Sequence, residues 1–375
     1  DTVFDFDNQG IETYIDGDWV RAKGTTLGAD NGMGVAAIMA ILESKTIAHP
    51  TLEALFTTDE ETGMTGAQKL SNDALKGEIL LNLDTELDTE IEIGCAGGID
   101  VSAYADYKEE ATPSDVVAYH IVVNGLLGGH SGMEIHLGRG NANKLMNRVL
   151  FHQYEKHGLR LAQLHGGGLR NAIPRESEAI VVVPKKNQVA FEKDFKENAE
   201  HIFKELQPVE PHLSITFKET QAPAKVMEAG AQVAFLRAVA AAPCGVYAMS
   251  RSVEGLVEAS NNIANIKVEG GKIAILCMSR SSVESSKKDL SESLAAAFEL
   301  AGYKVEFTGA YPGWEPNPHS PILQVLKETY VRLFQEEPNV AAIHAGLECG
   351  LLGEHFPHID MISFGPTILG AHSPN

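Results

Sequence analysis

The chain has 375 residues, 44% of them hydrophobic and 22% charged, an ordinary globular composition with room for two domains. Its 51 acids against 30 bases leave a net charge of −21, which argues against nucleic acid or an anionic membrane as partner. No apolar run approaches the ~20 residues of a membrane span, no signal peptide is visible, and four scattered cysteines without a C-x-x-C pair point to a reducing, cytoplasmic setting.

The chain opens on Asp1 in "DTVFDFDNQG", which reads as mid-domain, so an N-terminal segment is expected to be missing. Residues 31–45 place Val35, Ile38, Met39 and Leu42 on one helical face. "TLEALFTTDE" (51–60) reads as a buried strand ending in acids, and "GEILLNLDTE" (77–86) as another. Strand and helix alternating, with acids at the carboxyl ends, is the pattern of an α/β sheet, where sites gather at those ends.

After "IEIGCAGGID" the texture changes. Residues 116–124 read as a strand and 141–156 as an amphipathic helix with Leu145, Val149 and Leu150 inward. Strands near 159–165 and 177–183, a helix near 189–206 and a strand near 212–218 follow. A similar series returns: helix 231–241, strands 256–268 and 272–279, helix 286–301, strand 303–308. This predicts an inserted α+β domain over 98–310, built of two β-α-β-β-α-β-like units that share a strand. Residues 311–375 return to the first texture, with a helix in "SPILQVLKETYVRLFQ" and strands in "NVAAIHAG" and "DMISFGP". The first domain, 1–97, is thus interrupted and then completed by 311–375.

Acids mark the ends of the apolar runs. Asp30 in "TLGADNGMG" and Asp84 in "LLNLDTE" each read alone as a turn or cap acid. Neighbouring side chains on a strand point opposite ways, so Glu60 and Glu61 can share a region only if the chain turns there. They would then divide the work, one as an oxygen ligand and one as an acid/base. Four carboxylates gathered without partners repel one another. A divalent cation relieves this, and Asp, Glu and His together suit zinc. His372 sits in the loop "LGAHSPN". His130 sits in "LLGGHSGMEIH" among glycines 125, 128, 129 and 132, which is either a tight turn or backbone held close to a ligand. His358-x-Asp360 leads into an apolar strand and reads as structural. "HGGG" at 165–168 has no G-x-S-x-G companion, and neither H-E-x-x-H nor a phosphate-binding loop is present.

"GTTLGADNGMG", "TTDEETGMTGA", "LLNLDTE", "GCAGGID", "GLLGGHSGMEIHLGRGNANK", "LRNAIPRE", "GAYPGWEPN", "IHAGLECGL" and "ISFGPTILGAHSP", in that order along nearly the whole chain, resemble the bacterial aminoacyl-histidine dipeptidases. These are Xaa-His dipeptidases, or bacterial carnosinases, within the di-zinc exopeptidases that include aminoacylases and carboxypeptidase G. The resemblance implies an α/β catalytic domain, a mixed sheet flanked by helices, carrying the inserted domain as a lid. It implies two divalent cations, zinc by preference with cobalt or manganese as alternatives. Asp30 matches the bridging ligand, Glu61 and His372 the ligands of one ion, and Asp84 a ligand of the other. Glu60 matches the general base and His130 the residue that stabilises the oxyanion. Asn171, Arg280 and the backbone of Gly346 match substrate contacts, with Arg280 facing the substrate's C-terminal carboxylate. The peptide bond after Asp30 is expected to be cis.

The expected partner is a small dipeptide such as β-Ala-His, with a homodimer as one assembly and neither nucleic acid nor membrane involved. An H-x-D motif that the family carries upstream of the bridging aspartate is absent from this sequence. One metal site is therefore expected to be incomplete, and this polypeptide alone to be inactive. A related deacylase or aminotripeptidase, or a non-catalytic binding protein, are the rival readings.

Overall fold

A computed structural model describes residues 4–371 of the chain, which leaves its first unit at Cys95 and returns to it at Trp314; Ala96–Gly313 form the second unit. The first unit opens with a hairpin of β1 (Thr13–Asp16) and β2 (Trp19–Ala22). Three helices follow, α1 (Ala29–Glu43), α2 (Glu60–Gly63) and α3 (Thr65–Gln68), and then strands β3 (Ile79–Asn82) and β4 (Glu90–Cys95). The apolar face expected on α1 is exposed at Val35, Met39 and Leu42; only Gly34 of this helix is buried. Periodicity tells which residues share a face, and has no information about what covers it.

The strand expected over 51–60 does not form. Its apolar residues supply β propensity, but a strand exists only as a ladder, and residues 52–57 pair with nothing assigned as sheet. The chain turns at Glu60 into a single helical turn instead.

The second unit contains β5 (Gly97–Asp106), β6 (Glu109–Ala111), β7 (Val116–Asn124), α4 (Ala142–His157), β8 (Arg160–Gly167), β9 (Ser177–Pro184), α5 (Gln188–Leu206) and β10 (Ser214–Thr220). It continues with β11 (Lys225–Met227), α6 (Ala229–Ala241), β12 (Gly245–Met249), β13 (Val257–Glu269), β14 (Lys272–Ser281), α7 (Glu284–Glu299) and β15 (Lys304–Tyr311). Its main sheet runs β10-β7-β9-β8-β13-β14-β5-β15, with β12 paired to β13.

Two β-α-β-β-α-β units are visible in that order. One is β7-α4-β8-β9-α5-β10; the other is β5, then α6-β13-β14-α7-β15. No strand is shared, contrary to expectation: the units join through the antiparallel β8–β13 ladder, and the second takes its first strand from β5, upstream of the whole first unit. The sequence hid β5 because "GGIDVSAYAD" carries small and polar residues where a buried strand is expected to be apolar.

Alternation sets the core. Tyr119, Ile121 and Val123 of β7 point inward and meet Met146, Val149 and Leu150 of α4 and Phe191 and Phe195 of α5. Truncating one of these buried phenylalanines to alanine would cost about 3–5 kcal/mol. Helix α4 begins where Asn141 accepts hydrogen bonds from the N–H groups of Asn143 and Lys144, and it ends at Gly158 in the left-handed region.

The first unit is completed by α8 (Pro321–Phe334), β16 (Asn339–Ile343), α9 (Glu348–His355) and β17 (Asp360–Ser363). Its four-stranded sheet runs β16-β4-β17-β3, with parallel β16–β4 and β17–β3 pairs and an antiparallel β17–β4 contact. Asp360 accepts from Ser320 Oγ at 2.7 Å and Ile322 N–H at 3.0 Å, so it anchors the start of α8. Among the described residues no helix is long and apolar enough to cross a membrane, and all four cysteines are free thiols.

Candidate active site

Four acids of the first unit lie at breaks in regular structure. Gly28, at φ 73°, turns the chain into α1, and Asp30 and Asn31 keep non-helical backbone angles before the helix proper. The Asp30–Asn31 peptide bond is cis. Asn31 Oδ1 accepts the Gly34 N–H at 2.8 Å, and a Cβ on Gly34 would lie 2.4 Å from that oxygen, so only glycine lets the asparagine fold back. The Asn31 side chain also hydrogen-bonds Asp84, tying two of the acids together.

Glu60 and Glu61 begin the one-turn α2, set up by Asp59 at φ 64° and closed by Met64 at φ 54°. The helical turn splays the two side chains by about 100°, as 3.6 residues per turn requires. Asp84 follows β3, its N–H donating to Asn82 Oδ1 at 3.0 Å.

A fifth acid belongs to the same group. Glu348, the first residue of α9, is buried; its Oε2 accepts from Thr57 Oγ1 at 2.8 Å, while Oε1 is buried without a hydrogen-bond partner. Its carboxyl is pushed above the ordinary range by burial. "HAGLECG" held the signal, a lone acid among small and apolar residues, but sequence alone has no means to show its neighbours.

Burial raises Glu60 to about 7, and the charges of Asp84, Glu61, Glu348 and Asp30 add to the effect. Asp84 rises to about 6, first through burial and then through Asp30 and Glu348, against the Asn31 hydrogen bond. Desolvation and like charge act together here, as they do at sites built for catalysis or for cations.

A sixth acid supports this group from beneath. Glu92 of β4 is buried, and burial raises it to about 7. It meets Thr85 Oγ1 at 3.0 Å; Thr85 meets Ser363 Oγ at 2.8 Å; Ser363 donates to Asn82 Oδ1 at 2.7 Å, the oxygen that also holds the Asp84 N–H.

The donor set has the chemistry for a divalent cation: mutually repelling carboxylates, mostly half-buried, and the buried Glu348 among them with an unpartnered oxygen. Among the described residues, however, no three His, Cys, Asp or Glu side chains converge closely enough to hold an ion. His372, expected as a ligand, lies outside the described residues. Gly346 is half-buried in the segment between β16 and α9.

In the second unit, backbone bonds tie the His130 segment to the Asn171 segment, and the charge of Arg280 acts on His130. The His130 N–H donates to Glu134 Oε2 at 2.7 Å, and Arg139 pairs with the same carboxylate while donating to Gly128 O. His130 Nδ1 accepts from the N–H groups of Gly132 at 3.3 Å and Met133 at 3.1 Å. An acceptor Nδ1 leaves the ring proton on Nε2. Burial, with Arg280 beside it, holds the imidazole below its ordinary range, with Glu134 opposing. His130 is therefore a neutral Nε2–H donor.

His130 is bridged to Ala172; Ser131 N–H donates to Asn171 O at 2.7 Å, and Ile173 N–H to Gly129 O at 2.9 Å. Asn171 itself is exposed. Arg280 on β14 is 4% exposed, donates to the Tyr311 hydroxyl at 2.8 Å and keeps a buried Nε without a hydrogen-bond partner.

A family model described as "Peptidase family M20/M25/M40" matches residues 1–375. The cytosol non-specific dipeptidase of Escherichia coli (strain K12) is 43% identical over 376 residues, covering 100% of this chain and 77% of that protein. The crystal structure of the aminoacylhistidine dipeptidase of Vibrio alginolyticus matches with a TM-score of 0.94 at 46% identity, over 100% of this chain and 76% of that one. An uncharacterised protein of Bacillus subtilis (strain 168), YqjE, is 26% identical over 196 residues, covering 49% of this chain and 48% of its own.

Proposed function

We propose that this chain, which belongs to the peptidase family M20/M25/M40, carries most of a site that hydrolyses dipeptides, with Xaa-His dipeptides such as β-Ala-His preferred, and that turnover needs the H-x-D ligands absent from this sequence to complete one metal site. Metal-dependent peptide hydrolysis is the activity of its family. The observation that carries the hydrolytic reading is the set of mutually repelling acids around Glu60 in the first unit, with Glu348 buried and Asp30, Glu60 and Asp84 half-buried. The names of the E. coli and Vibrio relatives, a non-specific dipeptidase and an aminoacylhistidine dipeptidase, support dipeptides as the substrate class, and the second alone supports the histidine preference.

Divalent cations held by Asp30, Glu61 and Asp84, with His372, would polarise a peptide carbonyl and acidify water. Zinc suits this donor set, with cobalt and manganese as alternatives. Glu60 accepts the proton of the water that adds to the carbonyl carbon. It then delivers that proton to the amine nitrogen as the C–N bond breaks, so acid and amine leave with the proton count balanced. Its half-buried position keeps its proton affinity close to neutral pH, where a general base works best. His130 donates Nε2–H toward the oxygen that becomes negative in the transition state. Arg280, with its unpartnered Nε, is the group for the C-terminal carboxylate of a dipeptide, since a guanidinium fork matches a carboxylate. Asn171 and the Gly346 backbone complete the substrate contacts.

The test, run on a chain that includes the H-x-D segment with the 375-residue chain alongside, is a substrate panel of β-Ala-His, other Xaa-His dipeptides, dipeptides lacking histidine, tripeptides and N-acyl amino acids, each with metal analysis before and after chelation. Release of free histidine from β-Ala-His, abolished by chelator and restored by zinc, is the expected result. Equal rates on all dipeptides would keep the dipeptidase and remove the histidine preference. Turnover confined to tripeptides or acyl amino acids would replace the substrate class, and retained metal without any turnover would leave a binding protein.

A further inference from the structure

The loop that carries Asn171 is fixed by a residue far from it in sequence. Asn262 on β13 is 1% exposed, and its Nδ2 donates to two backbone carbonyls, Arg170 O at 3.2 Å and Ala172 O at 2.7 Å. Its Oδ1 accepts from Asn141 Nδ2 at 3.1 Å, and the same Asn141 nitrogen meets Ile263 O at 3.1 Å. Asn141 in turn caps α4. The two carbonyls that Asn262 holds flank Asn171 on either side. Ala172 is also the bridge partner of His130, and Asn171 O holds the Ser131 N–H.

We infer that Asn262 is a positioning residue: its side-chain amide pins the 170–172 turn, and through that turn sets both the Asn171 side chain and the His130 ring. The inference rests on the reading of His130 and Asn171 as residues that meet substrate. A primary amide carries two hydrogens on one nitrogen and an acceptor oxygen beside it, so a single side chain satisfies two carbonyls and one donor. An aspartate of the same shape has no hydrogen to give and would face two carbonyl oxygens with negative charge. The neighbouring Asn261, equally buried, points to the other face of the strand, where it donates to Pro243 O at 2.7 Å and accepts from Ser279 Oγ at 3.0 Å. Neither of these hydrogen bonds reaches the loop, and Asn261 serves as the matched control.

The experiment, on the chain that includes the H-x-D segment, compares Asn262→Asp with Asn261→Asp, alone and in a His130→Ala background, in kinetics and in NMR of ring-labelled histidine. The His130 signals are assigned by their loss in His130→Gln. We expect Asn262→Asp to lower kcat/KM by about 10–100-fold, mainly in kcat, because displacing catalytic groups by about an ångström costs on that scale. Asn261→Asp stays within about twofold of wild type whatever it does to stability. In the His130→Ala background the Asn262→Asp loss shrinks, since two changes acting through one group do not add. The His130 ring signals report an Nε2–H tautomer in wild type, move in Asn262→Asp and stay in place in Asn261→Asp.

Should Asn262→Asp fail to fold, Asn262→Ser, smaller and with one donor hydrogen, replaces it. Wild-type chain that turns over no peptide removes the functional reading, and the ring signals then decide the positioning by themselves. Unmoved ring signals with unchanged kcat/KM, equal losses in both aspartate variants, or full additivity with His130→Ala each overturn the inference.

Discussion

Replacing Glu92 by glutamine should leave the first unit equally stable in acid and make it more stable than wild type above neutrality. Glu92 is 6% exposed, and burial raises its carboxyl from 4.5 to about 7, with Glu90, Asp84 and Glu86 adding and the Thr85 hydrogen bond opposing. A shift of that size corresponds to about 3 kcal/mol at 1.36 kcal/mol per unit. The sign follows from proton binding. Between 4.5 and 7 the native chain holds a proton that the unfolded chain has released, so the stability tied to neutral Glu92 is complete below 4.5. It is lost as pH rises through 7.

The hydrogen-bond chain agrees with a neutral acid. Thr85 and Ser363 have one hydroxyl hydrogen each, and Ser363 gives its own to Asn82. With a proton on Glu92, each link from Glu92 through Thr85 and Ser363 to Asn82 carries one hydrogen; without it Thr85 must serve both Glu92 and Ser363. Glutamine reproduces the neutral acid's shape and its donor–acceptor pair. The assay is urea unfolding between pH 5 and 8.5 followed by tryptophan fluorescence, because both tryptophans, Trp19 and Trp314, belong to the first unit. The advantage of Glu92→Gln should grow from about 1 kcal/mol at pH 5 to about 3 kcal/mol at pH 8. Parallel stability curves across that range, or a less stable glutamine variant at pH 8, would refute the reasoning.

In the chain that includes the H-x-D segment, Glu60→Gln should retain bound metal and lose about 2–4 decades of rate, the scale of a lost general acid/base; metal analysis beside kinetics checks it, and loss of metal with activity would exchange the roles of Glu60 and Glu61. In the same chain His130→Ala should lower kcat by about 10²–10³, the cost of one oxyanion donor, with KM little changed in steady-state kinetics on β-Ala-His. Gly167→Ala should destabilise the second unit by about 2–5 kcal/mol, because left-handed backbone strain and overpacking add. Gly167 sits at φ +75° with a Cβ position 1.8 Å from Ala264 O. Far-UV circular dichroism during thermal unfolding would show the loss, and an unchanged melting profile would contradict the close approach.

Local chemistry was readable from the chain. Helices such as 141–156 and 189–206 announced themselves because one face of each is apolar at the helical period, and α4 and α5 lie within one residue of those spans. The acids at 30, 60, 61 and 84 each read alone as turn or cap acids, and stood out only as four of them gathered at the ends of apolar runs. Sequence order could also suggest a repeat, since each β-α-β-β-α-β unit is built mainly from neighbours along the chain.

Tertiary structure decided what lies beside what. Residues 52–57 have the composition of a strand and no partner to make them one, while β5 has a poor strand composition and two partners that do. Glu348 joins Glu60 and Asp84 across more than 260 residues of chain, and its charge registers only because burial removes the water that would screen it. Asn262 reads as one polar residue in "ASNNIANI" until the fold brings two carbonyls from residues 170 and 172 onto its amide. Sequence fixes which groups a residue can offer; only packing settles which groups it meets and how much solvent lies between them.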